Sequence, residues 1–275
     1  MIPMSMFIVD DNCIRCGLCS ELCVARIVER DEGGKPFVAA ENERKCIRCG
    51  QCVSFCPKSC CYLDFQRDRV AVDASLFPAA ESAETFLRSR RSIRKFRPDP
   101  VPEGLVRRIV ETARYAPTAQ NLQPVHWVIA MEREKLVEFG EGIAEYFEDE
   151  AARNPDDSGA RIRAQIARIW RKGHDILLRN APQLAIALVK KTHPFPEDGA
   201  IALTYFELAA HAHHVGCTWA GFFTAAARQS EKLATAVGVR DDEFLVGAQM
   251  FGYADGPVKL SRILPPRKEI EITLI

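Results

Sequence analysis

The chain has 275 residues, with 37 Lys+Arg balanced by 37 Asp+Glu. A formal charge of zero argues against the basic face of a nucleic-acid binder. Hydrophobic residues make up 47%, enough for one large core or two smaller ones. No apolar run approaches the ~20 residues that span a bilayer. The amino terminus, MIPMSMFIVDDNC, lacks the basic region and apolar stretch of a secretory signal. A soluble, cytoplasmic protein with no membrane or nucleic-acid partner is expected. Cysteine is the outlier: there are 11, nearly all before residue 62. Dense clustering without a signal peptide points to metal ligation rather than disulfides.

The first part repeats itself. Cys13, Cys16, Cys19 and Cys23 recur as Cys46, Cys49, Cys52 and Cys56, in the matching contexts CIRCGLC and CIRCGQC. A duplication at this period is one structural unit used twice. Asp31 to Pro36 is a turn-rich stretch between the copies. The repeat ends near Asp64. A short strand is expected at Arg69 to Val72, then a linker over 74–80. Alternating helices and strands follow. Leu105, Val106, Ile109, Val110 and Ala113 form a helical stripe. Val125 to Met131 reads as a strand. Ile162, Ile166, Ile169 and Trp170 mark a long helix reaching about Arg179. Leu184 to Val189 is a buried strand, and Ile201 to Val215 a helix apolar on nearly every face. Phe244 to Met250 is another strand. Glu269 to Leu274 alternates with period two and reads as a half-buried strand.

The second copy, CIRCGQCVSFCP, follows C-x2-C-x2-C-x3-C-P in full; the first has Val24 in place of the proline. Three thiolates on a tight loop reach three irons of one cubane, and the fourth reaches the other cubane. Cys13, Cys16, Cys19 and Cys56 are therefore expected to hold one [4Fe–4S] cluster. Cys46, Cys49, Cys52 and Cys23 are expected to hold the second. Gly17 and Gly50 permit unusual dihedrals beside the clusters. Zinc also uses four cysteines, but it does not explain the third short interval or the reciprocal fourth ligand. Residues 5 to 65 resemble bacterial two-cluster ferredoxins. Cys60 and Cys61 fall where small apolar residues follow the last ligand and are expected to pack near the clusters. Cys217 is expected to be a buried structural thiol.

Arg90, Arg91, Ser92 and Arg94 form a dense donor cluster suited to a phosphate dianion. The loop Ala116 to Pro124 is rich in small and amide residues and could approach a planar ring. RRSIRKF, then APTAQNLQP, then Gly216 to Phe222, then Phe251-Gly252-Tyr253, and finally Leu264 to Lys268 occur in an order that resembles the nitroreductase family. The resemblance covers about residues 81 to 275. It implies an α+β fold: a 1–73 ferredoxin-like domain, the 74–80 linker and an 81–275 FMN-binding α+β sandwich.

The resemblance also implies a homodimer with FMN at its interface. Arg90, Arg91, Ser92 and Arg94 match residues that hold the flavin phosphate, ribityl chain and pyrimidine edge. Pro117, Thr118 and Asn121 match residues that touch the flavin from the partner subunit. Ala220 and Gly221 match the pair whose N–H groups face the N5 and O4 region. Arg267 and Lys268 match basic residues that close on the phosphate. Some members carry glutamate where this chain has Ala220. His174 falls near an asparagine of relatives at the ring edge, though a surface histidine is the simpler reading. His211, His213 and His214 are read as packing residues, with Glu207 one turn before His211 and able to bond it.

The expected function is an FMN-dependent oxidoreductase whose flavin exchanges electrons with two [4Fe–4S] clusters and reduces a small organic acceptor. The external donor would be a ferredoxin-type protein or NAD(P)H. No protein nucleophile or general base stands out. The rival expectations are an electron-relay flavoprotein with no small substrate of its own, reductive dehalogenation, and flavin fragmentation.

Overall fold

The computed structural model describes residues 6–64, 69–256 and 260–275. The chain divides between Phe77 and Pro78 into two compact units, with Thr118–Leu122 grouped with the first.

The first unit is built from very short elements. Strand β1 (Phe7–Val9) leads to helix α1 (Leu18–Glu21), strands β2 (Val28–Arg30) and β3 (Pro36–Val38), helix α2 (Gln51–Ser54) and strand β4 (Cys61–Leu63). β1 pairs antiparallel with β4, and β2 with β3. The sequence repeat is also a repeat of backbone. Helices α1 and α2 each follow a left-handed glycine, Gly17 at φ 83° and Gly50 at φ 75°. Arg15 and Arg48 both take positive φ, and their amides donate to Cys13 Sγ at 3.4 Å and Cys46 Sγ at 3.3 Å. The loops therefore curl around their own first cysteine, a conformation that requires the glycine two residues further on. The core is small: Met6, Phe7, Ile27, Val28, Val38 and Leu63 pack with Cys19, Cys60 and Cys61.

Residues 69–73 form no strand, contrary to the expectation. Val70 and Val72 face solvent. Arg69 instead donates to the carbonyls of Ser59 and Cys61, and its guanidinium lies 3.9 Å from the centre of the Tyr62 ring. Its side chain, not a backbone ladder, holds this segment.

The second unit opens with helices α3 (Ala80–Ser89) and α4 (Glu103–Ala113). Strand β5 (His126–Ala130), helices α5 (Arg133–Arg153) and α6 (Ser158–Arg171), and strand β6 (Gln183–Lys190) follow. Helix α7 (Glu197–Ala212), strand β7 (Gly216–Trp219), helices α8 (Gly221–Ala227) and α9 (Glu231–Val237), and strand β8 (Glu243–Gly252) complete it. The sheet is antiparallel in the order β5-β6-β8-β7. β6 and β8 are central and covered on both faces, so β6 reads as a continuous apolar run rather than an alternating one. On one face, Val106 and Ile109 of α4 and Phe206 and Ala210 of α7 pack with Ala185 and Phe251. On the other, Leu136 and Ile143 of α5 and Phe223 of α8 pack with Leu184 and Ile186.

Three expectations for this unit are corrected. The helix through Ile169 ends at Arg171, not Arg179. Gly173 turns left-handed at φ 85°, and the Asp175 carboxylate accepts from the amides of Leu178, Arg179 and Asn180, fixing a separate turn. Helix α7 is not buried all round: Ile201, Thr204 and Tyr205 leave one stripe exposed. The tail 269–274 forms no strand within the chain, and Ile270, Ile272 and Leu274 are exposed.

Candidate cofactor sites

In the first unit the two cysteine sets come together as crossed groups. Cys13, Cys16, Cys19 and Cys56 line one hollow. Cys23, Cys46, Cys49 and Cys52 line the other, walled by Phe7, Val28, Val38 and Leu63. Each half of the repeat supplies three cysteines to one hollow, and its fourth lies beyond a short helix, in the other. Cys16 and Cys49 are the exposed members.

The protonation of these thiols bears on what can be held. Burial, then repulsion from Cys46, Cys49 and Cys23, pushes Cys52 up to about 12. Burial raises Cys19, with Cys13 adding repulsion. Cys56 differs: burial opposes its ionisation, but bonds from the Cys60 amide and thiol and the amides of Lys58 and Cys61 bring it down to about 7. Two crossed sets of four thiols, each lining one hollow, with Cys19 buried and Cys16 and Cys49 open to solvent, suit a cationic, thiophilic core. The donor sets therefore fit two cubanes.

Cys60 and Cys61 also line the first hollow, each 2% exposed. Cys56, Cys60 and Cys61 have sulfurs all within 4.8 Å of one another. Adjacency in sequence to the last ligand was the only signal available for this, and it did not distinguish packing from participation.

Thr118–Leu122 lies with the first unit. Gln120 and Asn121 both take left-handed backbone, and the Asn121 amide donates to the carbonyls of Ile47 at 3.3 Å and Arg48 at 3.0 Å. Asn121 is thus bound to the loop between Cys46 and Cys49. Thr118 is half-buried, and Pro117, the last residue before this segment, is exposed.

In the second unit, residues 90–97 run alongside β7 and the end of β8. The Ile93 amide donates to Cys217 O at 2.9 Å, Phe96 bridges Ala254, and the Arg97 amide donates to Tyr253 O at 2.9 Å. Gly216 allows this approach, since a Cβ there would lie 2.5 Å from Ile93 Cγ1. The RRSIRKF and GCTWAGF segments are therefore neighbours. Ser92 is half-buried, and Arg91 and Arg94 project into solvent. Ala220 is buried and its amide donates to Ala248 O at 2.9 Å, while Gly221 has open space where a Cβ would stand. Arg267 and Lys268 lie exposed in the tail, as does His174 in its loop. Cys217 is buried, with its thiol pushed well above the usual range by burial.

Arg90 is already engaged. Its Nη1 lies 2.8 Å from Glu207 Oε1, and Gln249 Nε2 donates to Glu207 Oε2 at 3.1 Å. The sequence suggested that Glu207 could bond His211. Instead His211 Nε2 lies 2.8 Å from Ser89 Oγ. Burial, then the charges of His214 and Arg90, hold the His211 pKa below its ordinary value. Glu207, with its side chain 8% exposed, orients Arg90. Glu207→Ala should destabilise the second unit by about 1–3 kcal/mol in chemical denaturation. That is less than a fully buried pair would lose, because Arg90 remains partly solvated. Glu207→Gln should recover most of the loss by keeping both hydrogen bonds.

The sequence profile of the Nitroreductase family matches residues 87–253. That of the 4Fe-4S dicluster domain matches residues 5–57. The chain belongs to the nitroreductase family and carries an amino-terminal 4Fe-4S dicluster domain. Nitroreductase NfnB of Mycolicibacterium smegmatis is 28% identical over 226 residues, 70% of this chain and 92% of that protein. NADH dehydrogenase of Thermus thermophilus is 56% identical over 52 residues, 19% of this chain and only 24% of that protein. A nitroreductase with bound FMN from Bacteroides fragilis shares the fold at TM-score 0.57 and 22% identity, over 71% of this chain and 100% of that one. Among the described residues, no helix is long and apolar enough to cross a membrane.

Proposed function

We propose that the protein is an FMN-dependent oxidoreductase that draws electrons through two [4Fe–4S] clusters and reduces a small organic acceptor. The observation that carries this is the pair of crossed cysteine hollows in the same chain as a nitroreductase domain. Cys13, Cys16, Cys19 and Cys56 would hold the first cluster, and Cys46, Cys49, Cys52 and Cys23 the second. Arg90, Arg91, Ser92 and Arg94 would bind the FMN phosphate and ribityl chain, with Arg267 and Lys268 closing on the phosphate. Ala220 and Gly221 would border the ring, and Pro117, Thr118 and Asn121 would approach it from a partner subunit. FMN accepts electrons singly and delivers them in pairs, the chemistry that joins a one-electron module to a two-electron reduction. Glu207 positions Arg90, and Gly216 keeps the 90–94 loop against β7.

We take the working form to be a homodimer in the cytoplasm. Support comes from apolar surface left uncovered in one chain: Ile201, Tyr205 and Trp219, together with the alternating tail. Flavin loss and dimer dissociation should then be linked. A stable monomer retaining one FMN per chain in light scattering would contradict this.

The direct test is anaerobic reduction of the protein by a ferredoxin-type protein, followed by mixing with a nitroaromatic acceptor. Product should form as the clusters and flavin reoxidise together. Reoxidation without product across a panel of nitro and halogenated acceptors would favour a relay with no substrate of its own.

A further inference from the structure

The first cysteine hollow is lined by two thiols beyond the four its cluster needs, Cys60 and Cys61, and Cys60 lies against a ligand sulfur. Cys60 Sγ lies 3.4 Å from Cys56 Sγ, at sulfur–sulfur contact, and the Cys60 amide donates to that same sulfur at 3.4 Å. Cys60 is 2% exposed, so its thiol faces the hollow and not water. Its carbonyl accepts from the Asp10 amide at 3.0 Å, just before β4 begins. Cys61 also lines the hollow, but it sits within the ladder opposite Val9. Cys60 stands one residue before the ladder, after the left-handed Ser59, with its sulfur against that of Cys56.

The repeat provides an internal comparison. Ser59, Cys60 and Cys61 occupy the places that Arg26, Ile27 and Val28 occupy in the other half. The backbone agrees: Arg26 has φ 51° and Ser59 φ 49°. The Arg26 amide donates to Cys23 O at 2.9 Å, and the Ser59 amide donates to Cys56 O at 3.0 Å. Ile27 and Val28 are buried like their counterparts. Where the second cluster meets an isoleucine, the first meets a thiol.

We propose that Cys60 is a reserve ligand for the iron held by Cys56 in the first cluster, an assignment that rests on the cluster ligation proposed above. The exchange breaks the iron–sulfur bond at Cys56 and forms one at Cys60. The Cys60 proton passes to the released Cys56 thiolate, or to water where Cys56 is replaced, and no electron moves. The first cluster then keeps its fourth iron when Cys56 is lost or modified, and the second has no such protection. The exchange also removes the Cys60 amide's bond to the ligating sulfur, which alters the cluster's environment and hence its potential and paramagnetic spectrum.

The test uses the full chain purified without oxygen, with iron and sulfide analysis and paramagnetic resonance. The parent should contain about eight irons. Cys56→Ala should keep about eight with an altered first-cluster spectrum. Cys56→Ala/Cys60→Ala should lose at least one iron, and Cys56→Ala/Cys61→Ala should match Cys56→Ala. Cys23→Ala should lose iron from the second cluster, and adding Ile27→Cys should restore it. Equal iron loss in Cys56→Ala and Cys56→Ala/Cys60→Ala would overturn the proposal while leaving the ligation reading intact. A parent without sulfide would overturn both. Should the Cys56 variants fail to fold, Cys60→Ala alone decides: on exposure to air it should release first-cluster iron several-fold faster than the parent, and equal rates would reject the reserve role.

Discussion

Stripping iron and sulfide from the protein should unfold the first unit and leave the second folded. The first unit has no strand longer than three residues and no α-helix longer than four among its described residues. Its core is a handful of apolar side chains, with cysteines making up a third of the buried set. A domain of this size cannot offset its chain entropy with so little buried apolar area. The clusters supply the difference, because a site that does not pre-exist in the unfolded chain turns binding free energy into folding free energy. For structural zinc in small domains that amounts to about 10–16 kcal/mol. The second unit has two cores on either face of a four-stranded sheet, and neither core contains a cluster cysteine. After anaerobic chelation, limited proteolysis should cut throughout residues 6–64 and within Thr118–Leu122, which groups with the first unit, and spare the sheet and helices beyond Pro78. Continued protection of 6–64 in iron-free protein would show that the apolar core alone suffices.

Cys49→Ala should abolish reduction by a ferredoxin-type donor while sparing the flavin. Cys49 is an exposed member of the second hollow, so its loss opens that cluster without disturbing the sheet unit. A tethered redox module works by effective concentration, which can exceed free encounter by about 10²–10⁴. Activity with the protein donor should accordingly fall by about a hundredfold or more. Activity with a chemical reductant that reaches the flavin directly should stay near the parent's. Undiminished activity with NAD(P)H in this variant would make NAD(P)H the direct donor and the clusters an outlet. Undiminished activity with the protein donor would end the inward route.

The cysteine architecture was legible in the sequence because ligand spacing is set by cubane geometry, and a fixed interval leaves few alternatives. Helix α4 was legible from its apolar stripe at helical spacing, and the two central strands from short apolar runs read at Leu184–Val189 and Phe244–Met250, inside the observed Gln183–Lys190 and Glu243–Gly252. What escaped depended on single side chains reaching across the chain. The turn after Arg171 is set by Asp175 capturing three amides, and no apolar period records that. Segment 69–72 has strand-like composition, but the Arg69 guanidinium ties it down instead. Glu207 was paired with His211 by helical spacing, yet Arg90, distant in sequence, has the stronger claim on a buried carboxylate. The tail has the alternation of a strand and no partner strand among the described residues; sequence period reports an amphipathic segment and says nothing of which chain covers it. Of the second unit's motifs, the RRSIRKF and GCTWAGF segments are brought together by the pairing of the 90–97 loop with β7, whereas Arg267 and Lys268 lie in the exposed tail and Thr118–Leu122 groups with the first unit.

The central claim is that one chain carries two cubanes and a flavin. Purification under strict exclusion of oxygen, followed by iron, acid-labile sulfide, zinc and flavin analysis on one sample, tests it most directly. About eight irons, eight sulfides and one FMN per chain are predicted, as two cubanes and one flavin site require. Zinc without sulfide in the cysteine hollows, with or without flavin, would contradict it.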